Sequence, residues 1–272
     1  MAKLVTKTFD NLYEYREFAE KCAKEENYSI VSRVKREAGR NDFYGNLKFE
    51  DTIEAMKYGI KDYTSYFLEN ISDTTNEEDS GQGIFMDIEG FAYDMGAVVS
   101  GEPECCINWN DVAPTKVINI IVDISFNCCT SATEIKNRGV AIANLVNTLL
   151  TKKYIVNLEF LEYNTQSDMD TEVLVKVDTS NLSIATIAMM CSTEYFRQVG
   201  FVTLDDIRHK ESESGRGKGE MNHTKLNEWK DKGLFIGGSY NDNRKTYKGC
   251  YKSIKSANET IEAMFNEYCK NH

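Results

Sequence analysis

The residues with the most chemical potential stand together just after one apolar run. Asp123, Ser125 and Asn127 alternate in DISFN, and Thr130 and Ser131 follow within a few positions. The run before them, VINIIVDI at 117–124, is nearly all apolar and rich in β-branched types, as a strand covered on both faces requires. Alternation points the three polar side chains the same way. They would then sit where a strand ends and a helix begins, the place where open α/β sheets bind ligands. A carboxylate, a hydroxyl and an amide oxygen suit a hard cation, and magnesium is the expected ion. Two later strand ends offer more oxygens: Asp178 and Thr179 after EVLVKV, and Ser239 and Asp242 after LFIG. Arg138, in the helix that follows, is placed to contact an anion near the same edge. The competing reading is that Asp123 and Ser125 only cap the turn and bind nothing.

Other chemistry is thinner. A catalytic thiolate in GEPECC (101–106) would need a neighbouring base, and His209, His223 and His272 are all distant in sequence. Zinc lacks its spacing, since no C-x-x-C exists. The stretch GRGKG (215–219) has glycines and a lysine but no strand before it, and Gly219 stands where a phosphate loop needs Ser or Thr. It reads as a solvated mobile loop over 209–221, with Arg208, Lys210, Arg216, Lys218 and Lys225 as a basic patch for an acidic partner.

The elements that must position these residues follow from periodicity. Helices are expected over 10–26 with Asp10 as cap, 49–58 ended by Gly59, and 61–70. A polar loop covers 71–82, and an irregular lead-in with short β-like runs fills 84–115. After the strand at 117–124 comes a long helix over 133–152, then a strand at 154–161, making one β-α-β unit. A strand at 172–177, helices at 183–191 and 193–199, and the start of a strand at 201–204 come next. A helix at 223–232, a short strand at 234–237 and a closing helix over 254–269 complete the chain. Gly139 inside the long helix predicts close packing of that helix on the sheet. The fold class is therefore α/β, three-layer, with a mostly parallel sheet: a helical region at 1–70, then an α/β domain over 84–272.

Composition narrows the function classes. Hydrophobic residues at 41% and charged residues at 28% predict a buried core. A net charge of -11 disfavours nucleic acid and anionic membranes, and suits a cytoplasmic protein, a basic partner or divalent cations. The segment 1–10 has no apolar stretch of the signal-peptide kind, and no apolar run is long enough to span a bilayer. The eight cysteines then read as reduced thiols of an intracellular protein.

The Asp123 loop resembles the metal-binding loop of von Willebrand factor A-like domains. Their pattern is Asp-x-Ser-x-Ser after an apolar strand, with a Thr and an Asp from later strand ends; here Asn127 replaces the second Ser. The resemblance implies a von Willebrand A-like or Rossmann-like core and a metal set of Asp123, Ser125, Asn127, Thr179 and Asp242. Thr130, Arg138, Asp178 and Ser239 are its expected surroundings. More broadly, FYGNLKFEDTIEAMKYG, GEPECCINW, ISFNCCTSATEIKNRGVAIANLV and STEYFRQVGF, in that order, resemble a widespread bacteriophage-encoded family of unknown function. That resemblance implies a phage origin and no catalytic residues. The expectation is a non-enzymatic protein-binding module, metal-supported at Asp123, acting on a host factor in the host cytoplasm. The alternatives are a magnesium-dependent enzyme on a phosphorylated or nucleotide substrate, and a virion structural or cargo protein.

Overall fold

A computed structural model describes residues 3–24, 29–71, 84–87, 92–93, 106–109, 116–126, 130–152, 154–165, 169–179, 183–211, 228–237 and 250–271. Its centre is a five-stranded sheet. The strands are β1 (Lys3–Phe9), β5 (Val117–Asp123), β6 (Ile155–Thr165), β7 (Met169–Val177) and β8 (Leu234–Ile236), in the order β1-β7-β6-β5-β8. Three of the four pairings are parallel, and only β6–β7 is antiparallel. A second, antiparallel sheet joins β2 (Ile84–Asp87), β3 (Ala92–Tyr93) and β4 (Cys106–Trp109) in the order β2-β4-β3, within the irregular lead-in.

β5 forms where its sequence demands. Ile118, Ile120 and Val122 face the main core while Ile121 faces the other side of the sheet, so both faces of the strand are used. Helix α5 (Ala132–Thr151) carries the chain from β5 to its parallel neighbour β6. It starts on a capping box: the Ser131 hydroxyl accepts from the Glu134 N–H at 3.2 Å, and the Glu134 carboxylate accepts from the Ser131 N–H at 3.0 Å. Ser131→Ala should lower the unfolding free energy by about 1 kcal/mol in a denaturant titration, and an unchanged midpoint would remove the cap from the account.

The helices α1 (Leu12–Lys24), α2 (Ser29–Glu37), α3 (Phe49–Tyr58), α4 (Lys61–Asn70), α6 (Ile184–Met190), α7 (Phe201–Glu211) and α8 (Ile254–Asn271) join α5 in one main core. α3 and α4 lie over the expected residues. Gly59 ends α3 with φ +82°, a conformation that favours glycine. The cap of α1 is Asn11, whose side chain accepts from the Glu14 N–H at 2.9 Å; Asp10 instead pairs with Lys176. The second face of the sheet carries a small cluster of Ile121, Leu161, Tyr163, Leu174, Trp229 and Phe235. Among the described residues the long helices thus share one face, where the three-layer expectation puts helices on both. On the strands of that second face Asn119, Asn157, Glu159 and Lys176 stand exposed or half-buried, while Leu161 and Tyr163 are buried.

Other departures have local causes. Lys3–Phe9 is an edge strand paired with β7, so the N-terminal segment and the sheet are built together. The expected strand start at 201–204 is helical: a π-helical turn over Tyr195–Gly200 runs directly into α7. α7 reaches Glu211, so the first three residues of the expected loop at 209–221 are helical, and the rest of that loop lies outside the described residues. Of the helix expected at 223–232, residues 228–230 are helical. Among the described residues Cys22, Cys191, Cys250 and Cys269 form no disulfide. No described helix is long and apolar enough to cross a membrane.

Candidate functional site

At the carboxyl end of β5 the structure places Asp123 and Ser125 side by side, 5% and 2% exposed. Their oxygens are engaged by the chain itself. The Asp123 carboxylate accepts from the Ser125 N–H at 2.8 Å, and the Ser125 hydroxyl accepts from the Tyr163 N–H at 2.6 Å. Arg138 reaches the same edge from α5. Its Nη2 donates to the carbonyls of Asp123 at 2.8 Å and Ile236 at 2.7 Å, across the carboxyl ends of the adjacent parallel strands β5 and β8. Arg138 is 1% exposed, with the rings of Phe126 and Tyr251 at 5.3 and 5.8 Å. Thr130 lies further along the loop, its carbonyl accepting from Arg197 at 2.7 Å.

Asp178 and Thr179 do not join this cluster. β7 runs antiparallel to β6, so its carboxyl end lies at the opposite edge of the sheet. The Thr179 hydroxyl donates to the Val156 carbonyl at 2.6 Å, whereas Asp123 is in register with Leu161. Five residues of β6 separate those levels, about 17 Å along the strand. Asn127, Ser239 and Asp242 lie outside the described residues. The described residues therefore do not fit the expected magnesium set. The hydroxyl is committed to a backbone N–H, the threonine is at the wrong edge, and a guanidinium already binds the strand-end carbonyls.

A second polar centre lies under the helices. Glu162 of β6 is fully buried on the main-core face. The Tyr15 hydroxyl lies 2.6 and 2.8 Å from its two carboxyl oxygens, and Tyr15 also meets the Thr203 hydroxyl at 2.8 Å. Burial pushes the Glu162 carboxyl up to about 8, against the opposing effect of hydrogen bonds from Tyr15 and Thr203. Burial likewise drives the Tyr15 and Tyr195 phenols well above their ordinary values. The π-helical turn supplies the rest. The Arg197 guanidinium donates to the Phe43 carbonyl at 3.2 Å as well as to Thr130, and the Gln198 amide donates to the carbonyls of Tyr44 at 2.7 Å and Leu47 at 2.9 Å. Glu194, just before it, accepts from the Asn46 N–H at 2.9 Å; burial raises its carboxyl. This centre escaped the sequence reading, yet two signals were present. Glu162 shares strand parity with Leu158 and Phe160, and STEYFRQVG carries too many polar residues for an apolar helix face.

The accessible chemistry is on the other face of the sheet. A groove of about 450 Å³ is lined by Asp10, Asn119, Asn157, Glu159, Lys176 and Lys232, among others. Asn157 donates to the Asn119 side-chain oxygen at 2.8 Å, and Asn119 donates to the Lys232 carbonyl at 3.3 Å. Lys176 bonds Asp10 at 2.8 Å, which raises its ammonium, while Lys232 lies 3.6 Å over the Trp229 ring. Half-burial raises the Glu159 carboxyl, offset by Lys176 and Lys232.

No curated protein and no solved structure matches the chain. One family does, over residues 2–263, which takes in every element of the main sheet and the first ten residues of α8. The chain belongs to the family described as Domain of unknown function (DUF7192).

Proposed function

We propose that this protein is a non-enzymatic binding module that takes a polypeptide partner on the polar face of its sheet. The groove between Asp10, Asn119, Asn157, Lys176 and Lys232 is the observation that carries this reading. Paired side-chain amides present the same donors and acceptors as a peptide bond. Carboxylates and ammonium groups are interleaved there, which suits a mixed polar surface better than a phosphate. The buried acids at the β5 end and under α7 are held by the chain's own groups, so they serve the scaffold. Phage origin and a host protein as the partner, met in the host cytoplasm, rest on the likeness of the segments from FYGNLKFEDTIEAMKYG to STEYFRQVGF to phage-encoded proteins.

Asn157 is exposed, so Asn157→Arg should leave the melt unchanged while filling the groove with a bulky charge. Tagged wild type should retain a host protein from lysate that the variant retains at least about tenfold less, a loss of about 1.4 kcal/mol. Equal retention by both would move the surface elsewhere. Magnesium-dependent turnover of a nucleotide by the purified chain would replace the proposal with the enzymatic alternative.

A further inference from the structure

In an open α/β sheet the crevice outside the carboxyl ends of neighbouring parallel strands is the usual ligand position, because strand-end carbonyls and helix ends gather there. β5 and β8 make such a pair, with α5 leaving β5 toward β6 on the other side. The residue at that position belongs to the chain itself. One guanidinium nitrogen of Arg138 bridges the carbonyls of Asp123 and Ile236, at 2.8 and 2.7 Å. Arg138 is the largest fully buried side chain of the described residues. Its surroundings answer to its charge. Phe126 and Tyr251 present their rings within 6 Å, and burial raises the Tyr251 phenol to about 12 while Arg138 opposes that rise and Asp123 adds to it. A guanidinium carries only donors and stays charged, so at two carbonyl oxygens it performs the gathering that a cation would.

We infer that the Arg138 guanidinium is the resident cation of the strand-end crevice, tying β5 to β8 without a metal ion. The carbonyl pair together with the two flanking rings is then a guanidinium site built by the fold.

The test uses the full chain. Melts of the wild type in millimolar magnesium chloride, in a chelator, and in sodium chloride of matched ionic strength should coincide. Arg138→Ala should melt about 10 °C lower, as expected for two lost charge-assisted hydrogen bonds. Methylguanidinium chloride, well below denaturing concentrations, should recover part of that loss, and methylammonium chloride should not. A saturable stabilisation of the wild type by magnesium overturns the inference. So does an Arg138→Ala variant that melts with the wild type, or one that methylguanidinium cannot rescue. Should Arg138→Ala fail to fold, Arg138→Lys and Arg138→Met decide. A lysine variant that melts above the methionine variant supports a cation at this position, and the reverse order overturns it.

Discussion

Between about pH 5 and pH 8.5 the wild-type protein should lose several kcal/mol of stability that Glu162→Gln does not lose. Glu162 binds its proton more tightly in the fold than in the unfolded chain, at about 8 against an ordinary 4.5, chiefly because burial disfavours the carboxylate. A group raised on folding contributes fully below its unfolded value, and that contribution drains away as pH climbs through the folded one. The interval from 4.5 to about 8 corresponds to about 5 kcal/mol at ~1.36 kcal/mol per pH unit. Tyr15 from α1, Thr203 from α7 and Gly200 from the π-helical turn enclose the group, and the hydrogen bonds from Tyr15 and Thr203 only partly oppose the effect of burial. Glutamine keeps the shape and a hydrogen bond to Tyr15 but does not titrate. At pH 9 the variant should therefore be the more stable of the two. Urea titrations across the range, compared at each pH, subtract the contributions of Glu159 and Glu194, which both proteins share. Curves that run parallel would mean that the carboxyl is solvated in the native state.

Gly139→Ala should destabilise the protein by about 3 kcal/mol, opposite in sign to the gain of ~1 kcal/mol that alanine brings to an ordinary helix interior. A Cβ built on Gly139 lies 2.6 Å from the Cys191 Cβ and 2.6 Å from the Phe67 ring. Both are core atoms with no free end to swing aside. The glycine lets α5 lie against α4 and the end of α6; the sequence expectation had it approach the sheet. A double-mutant cycle with Phe67→Leu should show a coupling that favours the pair, because the smaller side chain relieves part of the clash. A stabilised Gly139→Ala variant would mean that α5 stands further from these helices.

Much of the skeleton was written in hydrophobic periodicity. β5, α3, α4, α5 and α8 lie within a residue or two of where their apolar spacing puts them, since each buries a face that the spacing defines. The strand end with Asp123, Ser125 and Arg138 was legible for the same reason: a fully apolar β-branched run must stop at a sheet edge.

Tertiary structure decided the rest, and β6–β7 shows how. Apolar content alone ended the first strand at 161 and began the next at 172, leaving room for a crossover. In the fold β6 continues through Glu162 and Asn164 to Thr165, and β7 begins at Met169. A three-residue connection closes a hairpin and cannot cross over, so β7 must run antiparallel. That single reversal carries Asp178 and Thr179 away from Asp123. Strand extension here depends on polar side chains whose partners come from afar: Tyr15 lies 147 residues from Glu162, and Trp229 lies 57 from Glu172. The same holds at 201–204, where a β-like FVTL is helical and its Thr203 is buried against the distant Tyr15 and Glu162. Sequence by itself determined which segments must hide an apolar face. Which polar residues could be hidden with them, and so where the strands end and which edge each side chain reaches, was settled only when those distant partners met.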